Sequence, residues 1–221
     1  MKISRTGVAS LVTVGVSISL TTLFAQMSGE STRLLVAMGA NAKRVVQYEW
    51  KQRITVVRKG KPAEPVVDQV RFDSTGQMQR TTISAPPEQK RGVRGRIAAG
   101  VKEDVKDIMS LAGSYNKPQQ MIEAVKKAEI SQTPSTIRLQ ANNVIKPSDS
   151  MIMLVNSATH LATRVDINTD YEGGPMTITQ EYGRIPGGPN MMKSMRVSVP
   201  GKDLVVNVAS YDFVQQTARG N

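Results

Sequence analysis

Cysteine is absent from the 221 residues. That excludes disulfides, thiolate metal sites, a cysteine nucleophile and attachment through a lipidated cysteine, so the fold must be held by its apolar core alone. Histidine occurs once, at His160, and any histidine-dependent chemistry must pass through it. No G-x-S-x-G turn is present to carry a nucleophilic serine, and no G-x-x-x-x-G-K-[ST] loop to hold a nucleotide. Aromatic residues make up 4% of the chain, and none is interleaved with the basic run KRGVRGR as readers of single-stranded nucleic acid require. Only one long apolar run occurs, and it lies in the first 25 residues.

That run has the layout of a targeting segment. Lys2 and Arg5 form a positive start, VASLVTVGVSISLTTLF is the apolar stretch, and Leu23-Phe24-Ala25 precedes the polar Gln26. The order is that of a secretory signal peptide over residues 1–25, cleaved after Ala25. A retained membrane anchor is the alternative, although the run is near the lower limit for spanning a bilayer. Residues 26–215 are then expected to form one domain and 216–221 a tail. Without Lys2 and Arg5 the 29 basic residues become 27 against 18 acidic ones, a net charge of +9. An exported, basic, periplasmic or secreted domain attracts lipopolysaccharide, anionic phospholipid or acidic polymer, whereas nucleic acid is not an expected partner.

Beyond the leader, alternation is the dominant pattern. In VVQYEWKQRITVV, residues 45–57, Val46, Tyr48, Trp50, Ile54 and Val56 share one parity, broken only by Gln52. Successive strand side chains point to opposite faces, so the stretch has one apolar and one wet face. Ser31 is positioned to cap a preceding helix with Leu34, Leu35, Met38 and Ala42 at helical spacing. After it, VVDQVRFD places Val66, Val70 and Phe72 on one parity, and Asp73-Ser74-Thr75-Gly76 reads as a hairpin turn. Residues 84–96, SAPPEQKRGVRGR, read as irregular. Helical spacing then begins at Ile97 with Val101, Val105, Ile108 and Ala112, and Pro118 opens a second helix carrying Met121, Ile122 and Val125. From Ser135 onward the chain reads as strands, with two GGP triplets as hairpin corners. Strands, helices and strands again predict an α+β domain, one antiparallel sheet with helices on one face.

Four stretches invite a functional reading. DINTDYEGG, residues 166–174, places Asp166, Asn168 and Asp170 like the start of an EF-hand, but Tyr171 stands where glycine is needed and Thr177 where glutamate is needed. Alternation of Leu161, Val165 and Ile167 explains the spacing, and neither a metal nor a cofactor is expected. His160, beside a turn in SATHL, reads as a polar loop residue. Lys90, Arg91, Arg94 and Arg96 lie within seven residues, and guanidinium groups pair bidentately with phosphate oxygens, so this loop is either an anion contact or a solvated segment. The helix charges Glu103, Asp104 and Asp107 read as a wet face. Methionine concentrates at Met151, Met153, Met176, Met191, Met192 and Met195, which suits either a filled core or a cavity for variable apolar ligands.

The order of elements is similar to the LolA-like periplasmic lipoprotein carriers and outer-membrane lipoprotein-sorting proteins. SDSMIMLVNSATHLATRVDINT resembles their recurrent strand pair, with Thr159 and Arg164 in the Thr-x-x-x-x-Arg strand; ISAPPEQKRGVRGRIA and the GGP and SYDF segments resemble a group of uncharacterised bacterial secreted proteins. The resemblance implies a curved half-barrel sheet whose concave face is covered by helices around an apolar cavity. Val46, Tyr48, Trp50, Ile54, Val56, Val70, Phe72, Met153 and Met176 would line it, with Lys90 and the arginines near its mouth. It implies a noncovalent binder or carrier of lipid or lipoprotein acyl chains, not an enzyme. The alternative is a non-enzymatic envelope structural or interaction protein with a filled core; a hydrolase would have to use His160.

Overall fold

The computed structural model describes residues 29–73, 76–85 and 93–216. Residues 1–28, with the expected signal segment, and 217–221 of the expected tail lie outside the described residues.

The first element, α1 (Gly29–Val45), has Glu30 in its first turn and Lys43 and Arg44 in its last, each complementing the helix dipole. It starts two residues before Ser31, so that serine is a buried residue of the first turn instead of its cap. Eleven strands follow among the described residues: β1 (Tyr48–Arg58), β2 (Lys61–Pro62), β3 (Val66–Phe72), β4 (Met78–Ser84), β5 (Glu129–Gln132), β6 (Thr136–Asn142), β7 (Ser150–Asn156), β8 (Leu161–Tyr171), β9 (Gly174–Arg184), β10 (Asn190–Val199) and β11 (Leu204–Gln215). Between β4 and β5 lie α2 (Val93–Ser114) and α3 (Pro118–Lys127). Helix α2 begins four residues before Ile97, so Val93–Arg96 are helical where the sequence read as irregular. Glycines at 92, 95 and 100 weaken the local signal there, and the helix is set by its apolar positions further on.

All pairings are antiparallel, in the order β4-β3-β1-β11-β10-β9-β8-β7-β6-β5, with β2 folded back on β1. The sheet is open, with β4 and β5 as its edges. Register shifts interrupt the β1–β11, β3–β4, β7–β8 and β9–β10 ladders. Each extra residue bends its strand and raises the local twist, which curves a sheet this wide. Both GGP corners occur: Glu172 and Gly173 have φ of 50° and 77° between β8 and β9, and Gly187 has φ of 68° between β9 and β10, while Gly76 has φ of 77° before β4. Positive φ at consecutive residues matches the right-handed twist of the flanking strands.

The helices lie on one face. Leu34, Ile108, Ala112, Ala124 and Val125 meet inward residues of β6 to β11, among them Ile137, Met151, Ile167, Ile178, Val197 and Val206. Helix α1 rests on β8 and β10 and against α3. Its C-terminal half is pinned by Asn41, whose Nδ2 donates to the Asn190 carbonyl at 2.8 Å while its Oδ1 accepts from the Asn190 amide at 2.7 Å. Asn41→Ala is expected to destabilise the protein by about 1–2 kcal/mol, because two hydrogen bonds are lost together. Urea denaturation measures this, and a change below ~0.3 kcal/mol would show that α1 is held by packing alone.

Candidate functional site: the inward face of the sheet

The inward face is covered unevenly. Between α3 and the sheet, Ala124, Val125 and Ala128 meet Leu139, Ala141, Met151 and Met153 around only about 10 Å³ of free space. That is roughly the room one water needs. Met153 and Met176, expected to line a cavity, are 2% and 0% exposed and belong to the main core, with Met153 facing α3. Their thioether chains adapt to the gap between helix and strand.

The opposite half of the same face, on β1, β3 and β4, differs. Trp50 and Val70 face each other in register, both buried, and the Trp50 ring lies 5.9 Å from Phe72 in a tilted arrangement. Tyr48 is also buried, and its hydroxyl lies against the Gly188 backbone in the β9–β10 turn. Ile54, Val56 and Phe72 are half-buried, and Met78, opposite Phe72 on the edge strand, is 49% exposed. Val46 departs from the expectation: it lies in the turn before β1 and is 40% exposed, because α1 continues through Val45.

A polar row crosses this apolar wall. Asp68, Gln52 and Ser210 are in register on β3, β1 and β11, all buried. Gln52 Nε2 donates to Ser210 Oγ at 3.3 Å, and Thr82 Oγ1 of β4 donates to Asp68 Oδ1 at 2.8 Å. Among the described residues Gln52 Oε1 has no hydrogen-bond partner. A buried carbonyl without a donor costs desolvation energy that burial of an apolar side chain would not. The sequence signal was the single polar residue in the apolar parity of β1, which alternation alone treats as an interruption. Gln180 is a second case: fully buried between Ile178 and Tyr182, it accepts from the Tyr182 hydroxyl at 2.9 Å. Burial pushes the Tyr182 phenol well above its ordinary pKa.

Under the helices lies a third polar group. The Tyr115 hydroxyl, in the joint between α2 and α3, donates to Asp149 Oδ2 at 2.6 Å and lies 2.9 Å from Thr169 Oγ1. The same carboxylate oxygen accepts from the Lys146 and Ile145 amides at 2.7 and 3.1 Å. Burial, followed by the Asp149 carboxylate, pushes the Tyr115 phenol far above its ordinary range. These residues are distant in sequence and carry no motif.

Lys90 and Arg91 lie outside the described residues. Arg94 and Arg96 are on the first turn of α2, and their side chains are likewise outside what is described. His160, in the turn before β8 with φ of 54°, places Nε2 at 3.0 Å from Glu30 Oε1 and so ties that turn to α1. Asp166 faces outward, where Arg164 binds it through Nε at 2.6 Å and Nη2 at 2.9 Å; the Arg164 guanidinium holds its carboxyl below the usual range. Asp170 pairs with Lys146 at 3.2 Å. Asp104 pairs with Lys202 at 2.6 Å, and Lys202 also reaches Glu172 at 2.9 Å. Among the described residues no group of three or more His, Asp or Glu is placed to hold a metal, and no helix is long and apolar enough to cross a membrane.

No family model matches the sequence, and no curated protein is similar to it. Several solved structures resemble the fold. A DUF1329 family protein from Desulfovibrio piger is 13% identical with a TM-score of 0.44, covering 86% of this chain and 93% of that one. A putative outer membrane lipoprotein-sorting protein domain from Vibrio parahaemolyticus is 9% identical with a TM-score of 0.40, covering 86% and 95%. A LolA superfamily protein from Nitrosomonas europaea is 9% identical with a TM-score of 0.42, covering 85% and 94%. These are the groups that the order of sequence elements resembles. At such identities and TM-scores they say nothing about ligand or activity.

Proposed function

We propose that the protein is a noncatalytic binding or carrier protein of the bacterial cell envelope that holds acyl chains of lipids or lipoproteins against the inward face of β1, β3 and β4. The observation that carries this reading is the uneven cover of that face. Helices fill it over β6 to β11, and Ile54 and Val56 pack against that same core, whereas Phe72 and Met78 stay partly open beside a buried Trp50. An apolar surface crossed by a few polar groups, here Asp68, Gln52 and Ser210, suits a hydrophobic tail with a fixed head. The leader with Lys2, Arg5 and Ala25 supports export to the periplasm, and the basic run Lys90, Arg91, Arg94 and Arg96 suits contact with anionic headgroups.

Fluorescent fatty acids of increasing length test it. Burial of each methylene contributes about 0.8 kcal/mol, so four added methylenes are expected to tighten binding by about 3 kcal/mol, roughly two hundredfold. Phe72→Asp combined with Met78→Asp should abolish uptake while the circular dichroism spectrum is kept. Affinity independent of chain length, or uptake unchanged in the double variant, overturns the reading. A second reading, an envelope interaction protein, is favoured by the packed contact between α3 and the sheet. It predicts that native mass spectrometry of protein purified without detergent finds no retained lipid.

A further inference from the structure

The opposite, outward face of the sheet holds a hollow of about 360 Å³. Its origin lies in the register. Arg53, Ala209, Ser194 and Glu181 stand side by side on β1, β11, β10 and β9, and one step along the strands Thr55, Asn207, Arg196 and Thr179 form the next row. Ala209 and Ser194 are adjacent short side chains among longer ones. With strands about 4.8 Å apart, the two leave a gap roughly 10 Å wide between Arg53 and Glu181. Glu181 shares the Arg164 guanidinium with Asp166, Nη1 lying at 2.9 Å from its Oε1. Neither arginine at the rim has a carboxylate partner among the described residues: Arg53 lies over the Tyr211 ring at 5.5 Å, and Arg196 Nη1 donates to Asn207 Oδ1 at 3.3 Å. The hollow therefore combines two guanidiniums that have no carboxylate partner among the described residues with the hydroxyls of Thr55 and Ser194 and the amide Nδ2 of Asn207, beside the apolar Met195, Val208 and Ala209 and the Glu181 carboxylate; the Thr179 hydroxyl donates to Asp166 Oδ1 at 2.8 Å.

We propose that this hollow binds a sugar unit bearing an oxyanion, either phosphate or carboxylate. The guanidinium forks match oxyanion geometry. The short hydroxyl and amide groups between them match sugar hydroxyls, and the volume is that of a small-ligand site. The site faces away from the acyl-chain wall, so either can fail without the other.

Backbone amide shift mapping of the full chain, titrated in turn with glucose 1-phosphate, glucuronate, glucose and inorganic phosphate, tests the proposal. Saturable shifts confined to β1, β9, β10 and β11 are expected with one or both anionic sugars, at least tenfold tighter than with glucose or inorganic phosphate. Preference for glucose 1-phosphate assigns a phosphate source, and preference for glucuronate a carboxylate source. Arg53→Gln with Arg196→Gln should weaken binding about tenfold or more, since charge-assisted hydrogen bonds are lost. Ala209→Leu, which fills the hollow and keeps both arginines, should do the same. All these positions lie on the outward face, so the amide spectrum itself reports that the variants fold. Absence of saturation at millimolar concentration, inorganic phosphate binding as tightly as the sugars, or undiminished binding in the variants overturns the proposal.

Discussion

Asp149→Ala is expected to destabilise the protein by about 3 kcal/mol, because the single buried oxygen Oδ2 accepts from the Tyr115 hydroxyl and from the Lys146 and Ile145 amides. Tyr115 would lose its partner at the joint of α2 and α3, and the Lys146 and Ile145 amides would lose theirs in the loop between β6 and β7. The side chain thus fastens the helical layer to the sheet. Its pH dependence has a definite sign. Burial pushes the Asp149 pKa up, but hydrogen bonds from Thr169, Tyr115 and the two amides outweigh it and hold the carboxyl below the ordinary aspartate value. A group lowered on folding contributes stability that is complete above its unfolded pKa, about 3.9, and is lost as pH falls through the lower folded value. Asp149→Asn keeps the shape and removes the titration. Urea unfolding at pH 7 and at pH 3 should therefore show a smaller acid-induced loss in the Asn variant than in the unmodified protein. Equal losses would mean that Asp149 titrates alike in both states.

Met153→Ala and Met176→Ala are each expected to cost about 2–4 kcal/mol, since truncating a fully buried methionine removes its burial energy and leaves a cavity that the surroundings only partly close. The pair separates a filled core from a ligand wall. Were either methionine lining open space, its truncation would change the unfolding free energy by less than ~1 kcal/mol and enlarge the range of accepted ligands. With about 10 Å³ free between α3 and the methionine-bearing strands, the larger cost is the expected one. Guanidinium chloride denaturation with unchanged m-values would establish it.

Much of the local structure was readable from residue order. Period-two alternation placed β1, β3 and β7 to β11, because each has one buried face, and the GGP triplets marked real corners because the turns need positive φ. The start of α2 was not readable, since glycine and proline signals outweigh weak helical spacing over so short a window. Nor was the difference between Met153 and Phe72. Both sit on apolar parities, and only the position of α3 over β6 and β7 buries one and leaves the other half-open. Gln52 looked like noise in a pattern, and its meaning came from its register with Asp68 and Ser210.

The amino-acid order alone determined the α+β class, the strand periods, the lack of any thiol chemistry and the basic charge of the chain. All of these follow from local sterics, charge and composition. Tertiary structure alone decided that the first strand lies between β3 and β11, that helices pack one half of the inward face, and that Arg53 and Arg196 flank one hollow on the other face. Those outcomes depend on pairings between residues more than a hundred positions apart, whose closure is set by the summed burial of the whole sheet and leaves no trace in any short segment.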